Sequence, residues 1–486
     1  MNEKEPIREI GFVTQAKSYV FFVEGLPSAR INDVILDEEG NRALVQSLSD
    51  SHLVALALDP VDVRTGARYT MLAQKYQLSV GEHLFGCVIN ALGESVDRTK
   101  IFPPGNVPFL LGTDAPGIDM RTSAKYQLYT GYTLVDTLLP IARGQRQLIF
   151  GGDHAGKTSF LTNVVRHQRD EGHISIYVLI GKSVSELNRV SSAIFDSAGG
   201  HTRSIIVAAL SGELPPRISI APSVAFTIAE YFQRQGKDVL VVLDDLDAHA
   251  KYLREIALLE KRLPGRESYP GDLFYQQAHL MERSGTFVES AGGGSITTFP
   301  VVAVDIESFS SIIPTNLMSC TDGHLLFLPE LQGEGVYPAV SIERSVTRMG
   351  RQTQNLTQKQ LSMRVRQLLG RYRQQRNYAD FSVQLKDEVR AALHFGELLE
   401  QALQQDPSET VSVDVQVPFV ALVLTSFLHG RDNDFFVAQR RKILNALENR
   451  SDLQDLRAGA LSGMPLETYL ALLEDKKEIF EDVCRA

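Results

Sequence analysis

Apolar and polar positions along the chain change their period twice, and each change marks a change of expected architecture. From Ile10 to about Tyr76 the apolar residues fall in short runs, Gly11-Phe12-Val13-Thr14, Tyr19-Val20-Phe21-Phe22-Val23 and Leu53-Val54-Ala55-Leu56-Ala57-Leu58, broken by Gly, Pro, Asn and Asp. Closely spaced short strands of this kind predict a small β-barrel over residues 1–78. Over residues 79–350 apolar strands alternate with amphipathic stretches, the pattern of an α/β domain built on a mainly parallel sheet. Beyond Gly350 the period becomes helical: Leu361, Val365, Leu368, Leu369 and Tyr372 recur among Arg and Gln, and residues 351–486 are expected to form a helical bundle. The arginines at 364, 366, 371, 373 and 376 share those helices with the apolar stripe and read as its solvated face rather than as a nucleic-acid patch.

Composition narrows the function classes. A chain of 486 residues is too long for one hydrophobic core, which agrees with several domains. Its formal charge of −10 argues against a general nucleic-acid binder, because such proteins carry a basic excess that neutralises phosphates. Three widely separated cysteines, Cys87, Cys320 and Cys484, suggest neither a disulfide framework nor a zinc site, and a reducing cytosol fits them best. The polar start Met-Asn-Glu-Lys-Glu-Pro is followed by no apolar signal segment. The longest apolar stretch, Pro418 to Leu428, is far shorter than the ~20 residues a bilayer requires, so membrane association is expected only through partners.

One motif carries specific chemistry. Gly151-Gly152-Asp153-His154-Ala155-Gly156-Lys157-Thr158 fits G-x-x-x-x-G-K-[ST] and lies between the apolar run Gln147–Phe150 and a helix-compatible stretch, Ser159 to Arg169. Glycines at 151 and 156 let backbone N–H groups crowd round a phosphate, the following helix N-terminus favours negative charge, and Lys157 supplies a mobile cation. Thr158 would offer its hydroxyl to Mg²⁺. The run Asp238-Val239-Leu240-Val241-Val242-Leu243-Asp244-Asp245 is an apolar strand ending in acid, and Asp244 is the expected metal-side carboxylate.

Hydrolysis needs one more group, a carboxylate that orients or deprotonates the attacking water. The strand Ile176-Tyr177-Val178-Leu179-Ile180 instead runs into Gly181-Lys182-Ser183. Lys182 can bind phosphate, but a protonated amine is no general base. Glu186 is nearby and reads as a helix-surface charge.

Taken with the segments Thr130–Asp136, Pro140–Arg146, Asp244-Asp245-Leu246, Pro264–Tyr275, Gly292–Ser295, Ile313–Asn316, Thr321-Asp322-Gly323 and Ser345–Gly350, these motifs make the chain resemble the α subunit of F-type ATP synthases. That subunit is the non-catalytic member of a ring of three α and three β subunits, and the resemblance covers nearly the whole sequence. It implies a barrel crown, a central RecA-like domain that binds ATP or ADP with Mg²⁺, and a C-terminal helical domain facing a γ-type shaft. It also implies a peripheral position on the cytoplasmic side of the cell or inner membrane, on a sector that moves protons or sodium ions. Lys182 fits, since α subunits lack the catalytic Glu of β. Arg348 matches the arginine that α inserts into the neighbouring β catalytic site, and Ser319 and Gly323 match positions lining that interface.

Three departures stand out. Asp153 and His154 replace an arginine and a glutamine of the usual loop, and at an effective dielectric of about 20 an extra unit charge 4 Å from phosphate costs roughly 4 kcal/mol. The segment Leu331–Pro338 replaces the aromatic and arginine that the family places around its nucleotide. Only about ten residues precede the first predicted strand, where the family carries a longer helical extension that docks a stator subunit. The rival reading is a self-sufficient hexameric RecA-like motor, a secretion ATPase or a transcription-termination helicase, which would carry a catalytic Glu where Lys182 stands. An assembly scaffold with an empty phosphate loop is the third; intact Lys157, Thr158 and Asp244 count against it.

Overall fold

The computed structural model describes residues 9–72, 75–97, 100–108, 115–195, 203–304, 311–379, 387–428 and 430–485. The first eight residues, and with them the question of a stator extension, lie outside the described residues. Two compact units form, one of residues 1–123, 144–153 and 168–322, the other of residues 124–143, 154–167 and 323–486.

In the first unit the short apolar runs become a closed six-stranded barrel. Its strands are β1 (Ile10–Lys17), β2 (Val20–Glu24), β3 (Val34–Asp37), β4 (Arg42–Leu48), β5 (Leu53–Ala57) and β6 (Arg68–Met71), in the order β1-β2-β5-β4-β3-β6, with β6 returning to β1. Closure leaves no free sheet edge, and Val13, Phe21, Val45, Ala55 and Tyr69 fill the interior.

The α/β part of the same unit is a parallel sheet. Its strands run in the order Gln147–Gly151, Ser295–Ala303, Asp238–Asp244, Ile174–Lys182, Ser204–Leu210 and Val88–Asn90. These strands are buried on both faces, which is why they read as continuous apolar runs without alternation. The helix Pro215–Gln233 covers one face and is apolar almost all round.

An ion network ties the barrel to this sheet within the unit. Arg42 grips Asp59 through Nε (2.8 Å) and Nη2 (2.8 Å), Arg217 donates to the same carboxylate at 2.6 Å, and Arg42 reaches Glu94 at 2.8 Å. Although burial disfavours the charged form of Asp59, its hydrogen bonds from Arg42 and the charges of Arg42 and Arg217 prevail and pull its pKa down to about 2.

The second unit is mainly helical, with long helices at Leu356–Ala379, Asp387–Leu403 and Asn433–Asn449, and shorter ones at Val413–Leu422 and from Gln454 to Arg485. Of the expected stripe Leu361, Val365, Leu369 and Tyr372 are within the core and Leu368 is half-buried; Arg364, Arg371 and Arg376 are exposed, whereas Arg366 and Arg373 are half-buried rather than on a fully solvated face. Pro418 to Leu428 is buried protein core, and among the described residues no helix is long and apolar enough to cross a membrane. Gly396 lets its helix sit on the Tyr372 ring, where any side chain would collide. Buried Asp136 accepts from Thr130 N (2.8 Å), Thr130 Oγ1 (2.8 Å), Gly131 N (2.9 Å) and Gln416 Nε2 (2.9 Å), which pins the Thr130–Asp136 segment to the helical region.

Candidate functional site

Parallel strands bring their carboxyl ends to one edge of a sheet, and that edge is where α/β domains bind ligands. Here Gly151, Asp244 and Lys182 each terminate a strand of the same parallel sheet. The strand holding Gly151 and the strand holding Asp244 both flank Ser295–Ala303, with Gly151 level with Ala303 and Leu243 level with Pro300.

The phosphate loop has the conformation its sequence requires. Gly151 and Gly156 take positive φ values of +145° and +80°, and His154 is left-handed at +59°. The helix begins at Lys157 and runs to Asp170, so Lys157 and Thr158 occupy its first turn, where the helix dipole favours an anion. A side chain at 156 would meet Gln332 Oε1 and the Tyr337 ring. That Oε1 is itself buried with no hydrogen-bond partner among the described residues. Asp153 and His154 are exposed, so solvent screens the Asp153 charge and the cost expected of an extra anion is reduced.

Lys182 does not stand free. Its Nζ lies 3.0 Å from Asp244 Oδ1 and 2.9 Å from Asp245 Oδ2. Tyr177 Oη donates to the other Asp244 oxygen at 2.8 Å, and Ala248 N donates to Asp245 Oδ1 at 2.6 Å, so Asp245 also caps the helix Leu246–Leu259. Burial lowers the Lys182 pKa, but the two carboxylates more than reverse this and hold the ammonium charged. Burial pushes the Asp244 carboxyl up, and Lys182 opposes it. Both oxygens of Asp244, the expected metal-side carboxylate, already accept direct bonds, one of them from an ammonium, and a carboxylate with a cation seated on it does not fit Mg²⁺.

Glu186 sits where its reading as a helix-surface charge puts it. It closes a capping box with Ser183, accepting from Ser183 N and Oγ at 3.0 Å each, and its carboxylate is committed to that helix start. Tyr177 and Asp245 were not singled out from sequence. A tyrosine inside an otherwise apolar buried strand needs a partner for its hydroxyl, and that was the available signal.

Arg348 lies in the second unit, just after the two-residue strand Val346–Thr347, which pairs Gly323 with Thr347 and His324 with Val346. Gly323 is therefore buried beside the turn that carries Arg348. The turn is held from both sides: Thr347 Oγ1 donates to Pro140 O at 2.6 Å, and Gly350 packs so closely on that carbonyl that a Cβ would overlap it. Between these contacts the Arg348 side chain is exposed and makes no hydrogen bond or ion pair among the described residues. Its charge adds to burial in lowering the His324 pKa. Ser319, in the first unit, is exposed and donates to Asn316 O at 2.6 Å.

Known proteins resemble the chain over most of its length. A family model described as ATP synthase alpha/beta family, nucleotide-binding domain, matches residues 131–347, and one described as ATP synthase alpha/beta chain, C terminal domain, matches residues 353–460. The chain is 33% identical over 465 residues to the ATP synthase subunit alpha 1 of Rhodopirellula baltica, covering 95% of this chain and 91% of that protein. It is 32% identical over 465 residues to the ATP synthase subunit alpha 2 of Syntrophus aciditrophicus (95% and 88% covered). With the ATP synthase subunit alpha of Dictyoglomus thermophilum it shares 34% over 424 residues (87% and 82% covered).

Proposed function

This chain belongs to the ATP synthase alpha/beta family, and from that premise we propose that it is the non-catalytic, regulatory alpha-type subunit of a rotary ATP synthase. In this reading it binds ATP or ADP at the loop Gly151–Thr158, with Lys157 on the phosphates. It alternates with beta-type subunits in a three-plus-three ring around a gamma-type shaft, and extends Arg348 into the catalytic site of the adjacent beta-type subunit. The assembly sits peripherally on the cytoplasmic face of the cell or inner membrane, on a sector that moves protons or sodium ions.

The observation that carries the proposal is Lys182. At the strand end where hydrolysis requires a base, the chain has an ammonium clamped by Asp244 and Asp245, and the nearest carboxylate along the chain, Glu186, is spent on a helix cap. A chain that can hold phosphate but cannot activate water is suited to binding without turnover. Two further features support a neighbouring subunit. Arg348 is exposed on a firmly held turn, and the segment after Arg262 exposes Leu263 (92%) and Tyr275 (69%), apolar surface fit to be covered in an assembly.

The test compares the purified chain with the complex recovered through it. The chain alone should bind nucleotide and show no ATP hydrolysis, whereas the complex hydrolyses. Lys157→Ala should lower nucleotide retained on this chain with a smaller loss of complex turnover. Steady hydrolysis by the isolated chain, abolished by Lys157→Ala, would make the chain a motor in its own right and overturn the proposal.

A further inference from the structure

We propose that the Lys182 ammonium takes the place of a divalent cation at Asp244, so that this chain holds nucleotide at its phosphate loop without Mg²⁺. The inference rests on the nucleotide-binding reading above and concerns how charge is balanced in that site.

The placement of Lys182 is built into the sheet. The register of Ile174–Lys182 against Ser204–Leu210 shifts between Ile180 and Lys182, a β-bulge that re-aims the side chain after it. Gly181 makes the bulge possible: its φ is +66°, and a Cβ there would strike the Tyr252 ring. The bulge delivers Lys182 Nζ to within 3.0 Å of one carboxylate and 2.9 Å of the next.

All four oxygens of Asp244 and Asp245 then have a donor: two from Lys182, one from Tyr177 Oη, one from Ala248 N. The side chains involved are 20%, 7% and 11% exposed for Lys182, Asp244 and Asp245, so these bonds are little weakened by water. Each oxygen keeps a second lone pair, but a divalent cation approaching Asp244 meets the Lys182 ammonium already 3.0 Å from that carboxylate, and must either displace it or lie beside a like charge. Lys182 ends its strand on the same sheet edge as Gly151, where the phosphate loop begins. The ammonium therefore offsets carboxylate charge at that edge, the part a metal ion at Asp244 would otherwise play.

The test is a titration of the purified full-length chain with a fluorescent ADP analogue, in excess Mg²⁺ and again in EDTA. Wild type should change affinity by less than about threefold between the two, while Lys182→Gln, which frees Asp244, should gain a metal dependence of at least about tenfold. Circular dichroism checks that the variant is folded. Should it not fold, the wild-type pair of titrations still decides the matter, alongside native mass spectra that should show bound nucleotide without a Mg²⁺ increment. A wild-type affinity more than about tenfold weaker in EDTA would overturn the inference and leave nucleotide binding standing. Absence of binding under both conditions would instead remove the nucleotide-binding reading, and this inference with it.

Discussion

Arg348→Ala separates folding from function because of how the structure holds that residue. The backbone around it is fixed by Thr347 Oγ1 on Pro140 O (2.6 Å), by the pairing of Val346 and Thr347 with His324 and Gly323, and by the contact of Gly350 with Pro140. None of these uses the guanidinium, which is exposed and makes no hydrogen bond or ion pair among the described residues. Truncating it removes no hydrogen bond and no ion pair among the described residues, so stability should change by no more than about 0.5 kcal/mol. An arginine supplied in trans to a phosphoryl-transfer site contributes on the order of 10³-fold or more in rate, equivalent to about 4 kcal/mol of transition-state stabilisation. The rigid turn favours that contribution, because the backbone that carries the side chain is fixed before the reaction begins. The assay is steady-state ATP hydrolysis by the purified complex, with subunit composition checked by native gel and the melting transition of the chain recorded in parallel. Turnover should fall about a thousandfold in a complex of unchanged composition. Arg348→Lys should recover only part of the loss, since an ammonium keeps the charge but not the planar two-pronged geometry. Turnover within about tenfold of wild type in a fully assembled Arg348→Ala complex would refute the reasoning.

Two further perturbations probe the framework. Asp59→Asn should destabilise the chain by about 1–2 kcal/mol near neutral pH, less than the full shift implies because solvent screens part of it. Since the folded pKa is depressed to about 2, that stabilisation is present above the ordinary carboxylate range and is lost as pH falls through the folded value. In urea titrations the gap between wild type and variant should therefore narrow from pH 4 toward pH 2, and a gap that stays constant contradicts the account. Gly350→Ala forces a Cβ onto the Pro140 carbonyl and should cost about 1–3 kcal/mol in thermal unfolding, with a loss of complex turnover from displacement of Arg348; an unchanged melting temperature argues against the close approach.

The parts of the fold legible in the sequence were those with a strong local period. The strand Asp238–Asp244 is apolar between its two terminal acids, and the Leu361–Tyr372 stripe repeats at helical spacing, so both appear where expected. The barrel was legible as a barrel, but β3 and β6 are four residues each, too short for a period to declare itself. Lys182 was identifiable as a lysine in place of a base, yet its clamp was not. Asp245 lies 63 residues away, and only the register of two parallel strands and the bulge at Gly181 bring the charges together. The Arg217–Asp59 contact spans 158 residues and the Gln416–Asp136 contact spans 280, and no pattern within a window of the chain announces such pairs. Asp153 is the opposite case: its charge was plain in the sequence, but its exposure, which decides its cost, was not.

The central claim, a non-catalytic subunit that completes a partner's site, is tested most directly by native mass spectrometry of the complex purified gently through this chain. Subunit masses, stoichiometry and retained nucleotide are read together. Three copies of this chain with three of a second, similar-sized chain, and nucleotide carried on both, is the result the account predicts. A ring of six copies of this chain alone, or a single copy that hydrolyses ATP, would contradict it.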